Sequence, residues 1–289
     1  MLFQKNNFYI LDGAMGTELQ RRGIPVELPL WSAQALFDHP EEVRNIHQEY
    51  IRSGADIITT NTFRTQRRSL QKAGLESETK RINTLAVDLA VEARNETPVD
   101  RPIFIAASLT TLEDCYRPDL VPDQQILVAE HREQAEFLNR PEVDFFLLET
   151  FNTIREARAA SDAARQTGKP FAVSFVINTE GNLYSGESLA AAVAQLEPLE
   201  PLAFLINCSP QTIATKGLQI LRTKTQRPVG IYANGQGHAS STGEWLLEGG
   251  QDIDEYAQHC RQWKELGASI IGGCCGTTPA YTKSYSTIR

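Results

Sequence analysis

Apolar residues recur in short consecutive runs from one end of the chain to the other: FYIL, ADIITT, PIFIAAS, VDFFLLE, PFAVSFVI, LAFLIN, PVGIYA and SIIGG. Several of these runs are apolar at successive positions instead of alternating, which marks strands buried on both faces in a parallel sheet covered by helices. Helical periods lie between them. Ile82, Leu85, Ala86, Leu89, Ala90 and Ala93 fall on one helix face, and Ile253, Tyr256, Ala257, Cys260 and Trp263 repeat that spacing late in the chain. Ahead of Val43, Ile46, Tyr50 and Ile51, Pro40 suits a first helical turn, and Glu41 and Glu42 face the positive end of the helix dipole. Gly54 ends that helix. Strand and helix in strict alternation predict a parallel sheet with right-handed crossovers, and eight such units close an α/β fold of the (β/α)8 TIM-barrel type. No linker or composition shift divides the chain, so residues 1–289 read as one domain. The segment from Arg21 to His39, with Pro25 and Pro29, reads as an extended loop over the barrel mouth. Only ten residues follow Pro279, so the closing helix is expected to be short, frayed or replaced by a partner chain.

Composition narrows the function classes. Of 289 residues, 41% are apolar and 22% charged, ordinary values for a soluble globular protein with a substantial core. The 28 Lys and Arg against 36 Asp and Glu give a net charge of −8, which provides no global positive field for a phosphate backbone and argues against nucleic acid. No apolar run approaches the roughly 18 residues of a membrane span, and MLFQKNNFYILDG lacks the features of a signal peptide, so a cytoplasmic location away from membranes is expected. Five cysteines are too few, and odd in number, for a disulfide framework; the thiols are expected to be reduced.

In a barrel of this kind the chemistry gathers at the C-terminal strand ends. Those ends offer Asp12; Thr60 and Asn61; Ser108; Glu149; Asn207 and Cys208; Asn234; and Cys274 with Cys275. Cys208 and the pair Cys274 and Cys275 therefore bring three sulfurs to one rim. A disulfide between adjacent cysteines is unattractive, because neighbouring Cα atoms stand about 3.8 Å apart and a relaxed bridge wants about 4.4 Å or more. Three thiolates with an open fourth position are instead the ligand set of a catalytic zinc site. Cys260 reads as core on a helix face. Cys115, in a loop rich in charge and proline, reads as incidental, although it is the thiol that a structural zinc site would need as a fourth ligand.

The other strand ends carry polar candidates. Glu149 emerges from the core and needs a cationic partner, either the ammonium of an amino-acid substrate or a neighbouring Arg or Lys. Asp12, followed by Gly13 and Gly16, marks either a plain turn or a cradle of backbone N–H groups for a carboxylate. Thr60, Ser108 and Asn234 count collectively as substrate-binding candidates. The cluster Arg64, Arg67, Arg68 and Lys72 reads as a solvated helix face, His47 as a packed side chain and His238 as a candidate for the mouth. GQGHAS lacks the third glycine of a dinucleotide turn, and no nucleophile elbow or HExxH motif is present.

The pieces LDGAMGTEL, GADIITTNTF, LLETF, SF followed by SGESL, INC and GGCCGTTP span most of the chain. In that order they resemble the homocysteine S-methyltransferases. The resemblance implies a barrel in which Cys208, Cys274 and Cys275 bind Zn2+ and act as the catalytic residues, with the homocysteine thiolate as fourth ligand. It places Glu149 on the substrate ammonium, Asp12 and the backbone of Gly13 and Ala14 beside homocysteine, and Thr60 at a substrate contact. Where relatives often carry GPYG after the third strand, this chain has TTLEDCYRPDL, a change near the mouth that leaves the methyl donor open. The leading expectation is zinc-dependent methyl transfer from S-methylmethionine or S-adenosylmethionine to homocysteine, giving methionine, with Trp31 and Tyr232 as candidate aromatic faces for the sulfonium. A zinc hydrolase, and a non-catalytic or partner-dependent barrel that binds homocysteine and zinc, are the alternatives. Oligomeric state stays open.

Overall fold

In the computed structural model, residues 3, 7–235, 237–239, 245–246 and 252–288 are described. All eight apolar runs form strands: β1 (Tyr9–Ile10), β2 (Ile57–Thr59), β3 (Phe104–Thr110), β4 (Phe145–Phe151), β5 (Phe171–Phe175), β6 (Phe204–Asn207), β7 (Val229–Ala233) and, after a two-stranded hairpin of β8 (His238–Ala239) and β9 (Trp245–Leu246), β10 (Ile270–Gly273). The eight pair in parallel in the order β1-β10-β7-β6-β5-β4-β3-β2. A parallel bridge between Leu11 and Ile57, with the Asp12 N–H donating to the Ile57 carbonyl at 2.9 Å, joins the two ends. The sheet is thus a closed (β/α)8 barrel.

Consecutive apolar residues have distinct destinations. On β4, Phe145 and Leu147 belong to the cluster that fills the barrel with Leu11, Ile57, Ala106, Ala172, Leu205 and Ile270. Phe146 and Leu148, pointing the other way, pack with the helices outside. Both faces of each strand are dry, which is why the alternation of a half-exposed strand is missing. Phe3 stacks edge-on against Tyr9 and Phe145, with ring centroids 5.1 and 5.2 Å away.

The helix predicted after Pro40 spans Pro40–Arg52, and the long apolar period forms Thr79–Glu96. The segment from Arg21 to His39 is not extended throughout: it contains a 3-10 turn, Ser32–Gln34, and a short helix, Ala35–Asp38. Leu30, Ala33 and Leu36 recur every third residue and bury one edge of this segment against Val43, Ile46 and Leu70, and that burial is what coils it. The closing helix is short, Pro279–Tyr285, followed by a 3-10 turn. Aromatic packing compensates for its length, since Tyr281 and Tyr285 pack against the buried Tyr256 at centroid distances of 5.3 and 5.9 Å. Among the described residues, no helix is long and apolar enough to cross a membrane.

Candidate active site

A cavity of about 410 Å³ opens at the C-terminal ends of the strands, within the size range of small-molecule sites. Cys208 follows β6, and Cys274 and Cys275 follow β10; their sulfurs all lie within 4.8 Å of one another. The backbone is tied to hold them there. The Cys274 N–H donates to the Ala233 carbonyl at 2.8 Å, the Gly235 N–H to the Cys275 carbonyl at 2.8 Å, and the Asn234 N–H to the Ser209 carbonyl at 3.0 Å. Gly276, at φ +79°, turns the chain directly after the pair. Cys208 itself sits at φ +48°, in the left-handed region that a side chain rarely adopts. Two partners hold it: the Tyr116 hydroxyl donates to its carbonyl at 3.0 Å, and the Asn207 side chain accepts from the Thr150 N–H at 3.1 Å and the Ser174 hydroxyl at 2.7 Å.

A tetrahedral ion with bonds of about 2.3 Å spaces its sulfurs about 3.8 Å apart, so this trio fits one thiophilic metal. The three thiols form one hydrogen-bonded set that favours a shared thiolate: bonds from Cys208 and Cys274 pull Cys275 below the ordinary thiol range, while those two are pushed up. Among the described residues no fourth His, Cys, Asp or Glu ligand atom joins the group. Cys115 packs in one cluster with Cys208 and Val176 but stays outside that set. Burial pushes its thiol up to about 12 against the pull of the Arg64 guanidinium.

Two buried carboxyls share the cavity. Glu149 lies two residues before the end of β4, with Oε1 accepting from the Ser108 hydroxyl and Oε2 from the Tyr232 hydroxyl at 3.2 Å. Burial raises it to about 7, and the charge of Cys274 adds to the shift. Among the described residues no Arg or Lys pairs with it, so the salt-bridge alternative for Glu149 is not realised. Asp12 accepts the Thr59 N–H at 2.7 Å and the Thr59 hydroxyl at 3.0 Å, and burial raises it to about 8. Gly13 beside it has no room for a side chain, because an added Cβ would stand 2.8 Å from both the Thr277 and the Tyr50 hydroxyl oxygens.

Of the residues singled out in the sequence, Asp12, Gly13, Ala14, Thr60, Ser108, Glu149, Trp31, Tyr232 and the three cysteines all line this cavity. Asn234 does not: its backbone N–H and carbonyl are taken by Ser209 and by the Gln211 side chain at 3.1 Å, and it braces the cysteine loops from outside the lining. His238, on β8, is exposed and also outside the lining. The basic cluster divides. Arg67, Arg68 and Lys72 pair with Glu133, Glu130 and Glu113 on the surface, whereas Arg64 turns into the cavity wall. The helix begins at Arg67 and leaves Arg64 in the preceding turn, a boundary that the run of basic residues does not mark in the sequence. Phe63, Asp114, Cys115, Tyr116 and Trp245 are further lining residues. Trp245 reaches the site through a long-range pair with Gln20, whose side chain bonds both its backbone N–H and its carbonyl, at 3.0 and 2.9 Å.

Comparisons with known proteins agree with this geometry. A sequence profile described as homocysteine S-methyltransferase matches residues 9–288. The homocysteine S-methyltransferase YbgG of Bacillus subtilis (strain 168) is 31% identical over 93% of this chain and 90% of its own length. The homocysteine S-methyltransferase of Escherichia coli (strain K12) is 31% identical over 96% of this chain and 94% of its own. The crystal structure of the metallated form of the E. coli homocysteine methyltransferase MmuM superimposes with a TM-score of 0.85 at 29% identity, covering 99% of this chain and 97% of that one.

Proposed function

The chain belongs to the homocysteine S-methyltransferase family, and from that premise we propose that it is a single-domain, zinc-dependent enzyme that takes its methyl group from a sulfonium donor. Its reaction is methyl transfer to the sulfur of homocysteine. The observation that carries the finer reading is the convergence of three sulfurs within 4.8 Å on a cavity whose wall also holds Glu149 and Asp12. Cys208, Cys274 and Cys275 would hold the metal. A zinc ion so held supplies Lewis acidity, which lowers the pKa of a thiol in its open position from about 8.5 and presents it as thiolate at neutral pH.

The chain's own residues do the rest. Glu149, unpaired by any basic side chain among the described residues, takes the ammonium of homocysteine, and Ser108 and Tyr232 fix the orientation of its carboxylate. Asp12, held by Thr59, and the backbone of Gly13 and Ala14 border the same substrate, with Thr60 alongside. Fixing both ends of homocysteine leaves its sulfur one direction of attack, and that alignment makes the displacement effectively unimolecular. The homocysteine sulfur forms the new S–CH3 bond as the donor's S–CH3 bond breaks, and the electron pair leaves with the donor sulfur as a neutral thioether. The homocysteine thiol proton goes to solvent. A sulfonium leaving group requires no general acid, and Trp31, Phe63, Tyr116 and Trp245 in the wall offer aromatic faces to its positive charge.

The test is methionine formation by zinc-loaded protein given homocysteine with S-methylmethionine, S-adenosylmethionine, glycine betaine or 5-methyltetrahydrofolate. Methionine from a sulfonium donor is expected. Product from betaine or folate alone, or from none of the four, would overturn the sulfonium reading.

A further inference from the structure

Arg64 differs from every basic residue near it. Arg67, Arg68 and Lys72, on the helix that follows, each meet a glutamate. Among the described residues Arg64 meets none. Its Nε is buried without a hydrogen-bond acceptor, its guanidinium carbon stands 5.6 Å from the centroid of the Phe63 ring, and its side chain lines the cavity. A guanidinium is permanently charged, carries five N–H donors and accepts nothing, so a buried donor left unmet is costly unless a ligand anion meets it.

Its surroundings indicate which ligand. Phe63, Cys115 and Tyr116 pack into one cluster with Cys208, Cys274 and Cys275, whereas Glu149 is engaged elsewhere in the cavity, with Ser108 and Tyr232. If homocysteine is held by its ammonium at Glu149 and its sulfur at the cysteines, the Arg64 wall is left for the second substrate. Asp114 borders that wall too. Its Oδ1 accepts the Tyr116 N–H at 2.8 Å, and it forms no ion pair with Arg64 although both line the same cavity. Opposite charges that share a cavity without neutralising each other suit a zwitterion.

We infer that Arg64 binds the carboxylate of the methyl donor, with Asp114 facing its ammonium when the donor is an amino acid. This rests on the reading of the cavity as a two-substrate methyl-transfer site, and deepens it by naming a donor-specificity residue. The Arg64 loop and the TTLEDCYRPDL segment together build the donor wall.

Steady-state kinetics of zinc-loaded wild type, Arg64→Gln and Arg64→Lys test it, with folding and bound zinc checked in each. The donors are S-methylmethionine, its decarboxylated analogue (3-aminopropyl)dimethylsulfonium, and glycine betaine. Loss of a charge-assisted contact is expected to raise KM for S-methylmethionine about 10- to 100-fold in Arg64→Gln. KM for homocysteine should stay unchanged, Arg64→Lys should recover part of the loss, and the decarboxylated analogue should not distinguish wild type from Arg64→Gln. An unchanged donor KM, or a rise confined to homocysteine, would overturn the assignment. Should wild type use betaine and no sulfonium, the sulfonium reading falls while the Arg64 assignment stands if the betaine KM rises in Arg64→Gln. If wild type uses only the decarboxylated sulfonium, the Arg64 assignment falls while the sulfonium reading stands.

Discussion

Oε2 of Glu149 accepts the hydroxyl hydrogen of Tyr232 at 3.2 Å, and this bond ties the end of β4 to β7 across the barrel. With Ser108 on the other oxygen, the carboxyl is oriented on both sides yet has no cationic partner among the described residues. Burial sets its pKa at about 7. The proposed ammonium site therefore titrates well above the ordinary carboxylate range, and homocysteine binding should follow its ionisation.

In free enzyme, kcat/KM for homocysteine is expected to rise with pH through about 7 as Glu149 loses its proton. Glu149→Gln keeps the shape and removes the charge, so that limb should vanish and KM for homocysteine should rise about 10- to 100-fold. A pH profile identical to wild type would remove Glu149 from the ammonium site.

The same burial has a stability consequence of defined sign. Glu149 rises from 4.5 to about 7 and Asp12 from 3.8 to about 8, so both protons are bound more tightly in the folded chain. Their contribution to stability is whole below about pH 4 and is lost as pH rises through about 7 and about 8. Asp12→Asn and Glu149→Gln should accordingly melt a few degrees above wild type at pH 8.5 and lose most of that advantage at pH 5. Thermal unfolding at the two pH values checks this; a variant that melts lower at pH 8.5 contradicts it.

The barrel was legible because each strand is buried on both faces and leaves a run such as VDFFLLE, in which Leu147 enters the barrel and Leu148 meets the helices. Asp12, Glu149 and the cysteines were legible for a related reason, as polar residues standing directly after such runs. Arg64 was hidden inside a basic cluster whose other members lie on the helix Arg67–Lys72. Cys115 and Trp245 reach the cavity through contacts distant in sequence, with Cys208 and Gln20, and no local pattern announces them. Asn234 also stands at a strand end, and there its backbone bonds Ser209 and the Gln211 side chain outside the cavity lining.

Asn207 should act on the metal site without touching it. Its side chain fixes the Thr150 N–H and the Ser174 hydroxyl directly before the left-handed Cys208. Asn207→Ala is expected to weaken zinc affinity about 10- to 100-fold, as supporting residues of metal sites do, and to cost about 1–3 kcal/mol for the two unmet donors. Competition with a chromophoric chelator measures the first, urea unfolding the second. Wild-type affinity in the variant would deny Asn207 this positioning role.

Cys115 lies beside Cys208 yet outside the sulfur trio. Cys115→Ser is therefore expected to retain one zinc per chain, whereas Cys208→Ala and Cys275→Ala should lose it along with activity. Metal analysis after gel filtration decides. Loss of zinc from Cys115→Ser would convert the site into a closed, structural one.

In the proposed function, three cysteines hold zinc and the open position receives the sulfur of homocysteine. X-ray absorption at the zinc edge, recorded on loaded protein with and without homocysteine, tests it most directly. Three sulfurs and one lighter atom are expected alone, becoming four sulfurs at about 2.3 Å when homocysteine is added. Four sulfurs before the substrate arrives, or a first shell that homocysteine leaves unchanged, would contradict it.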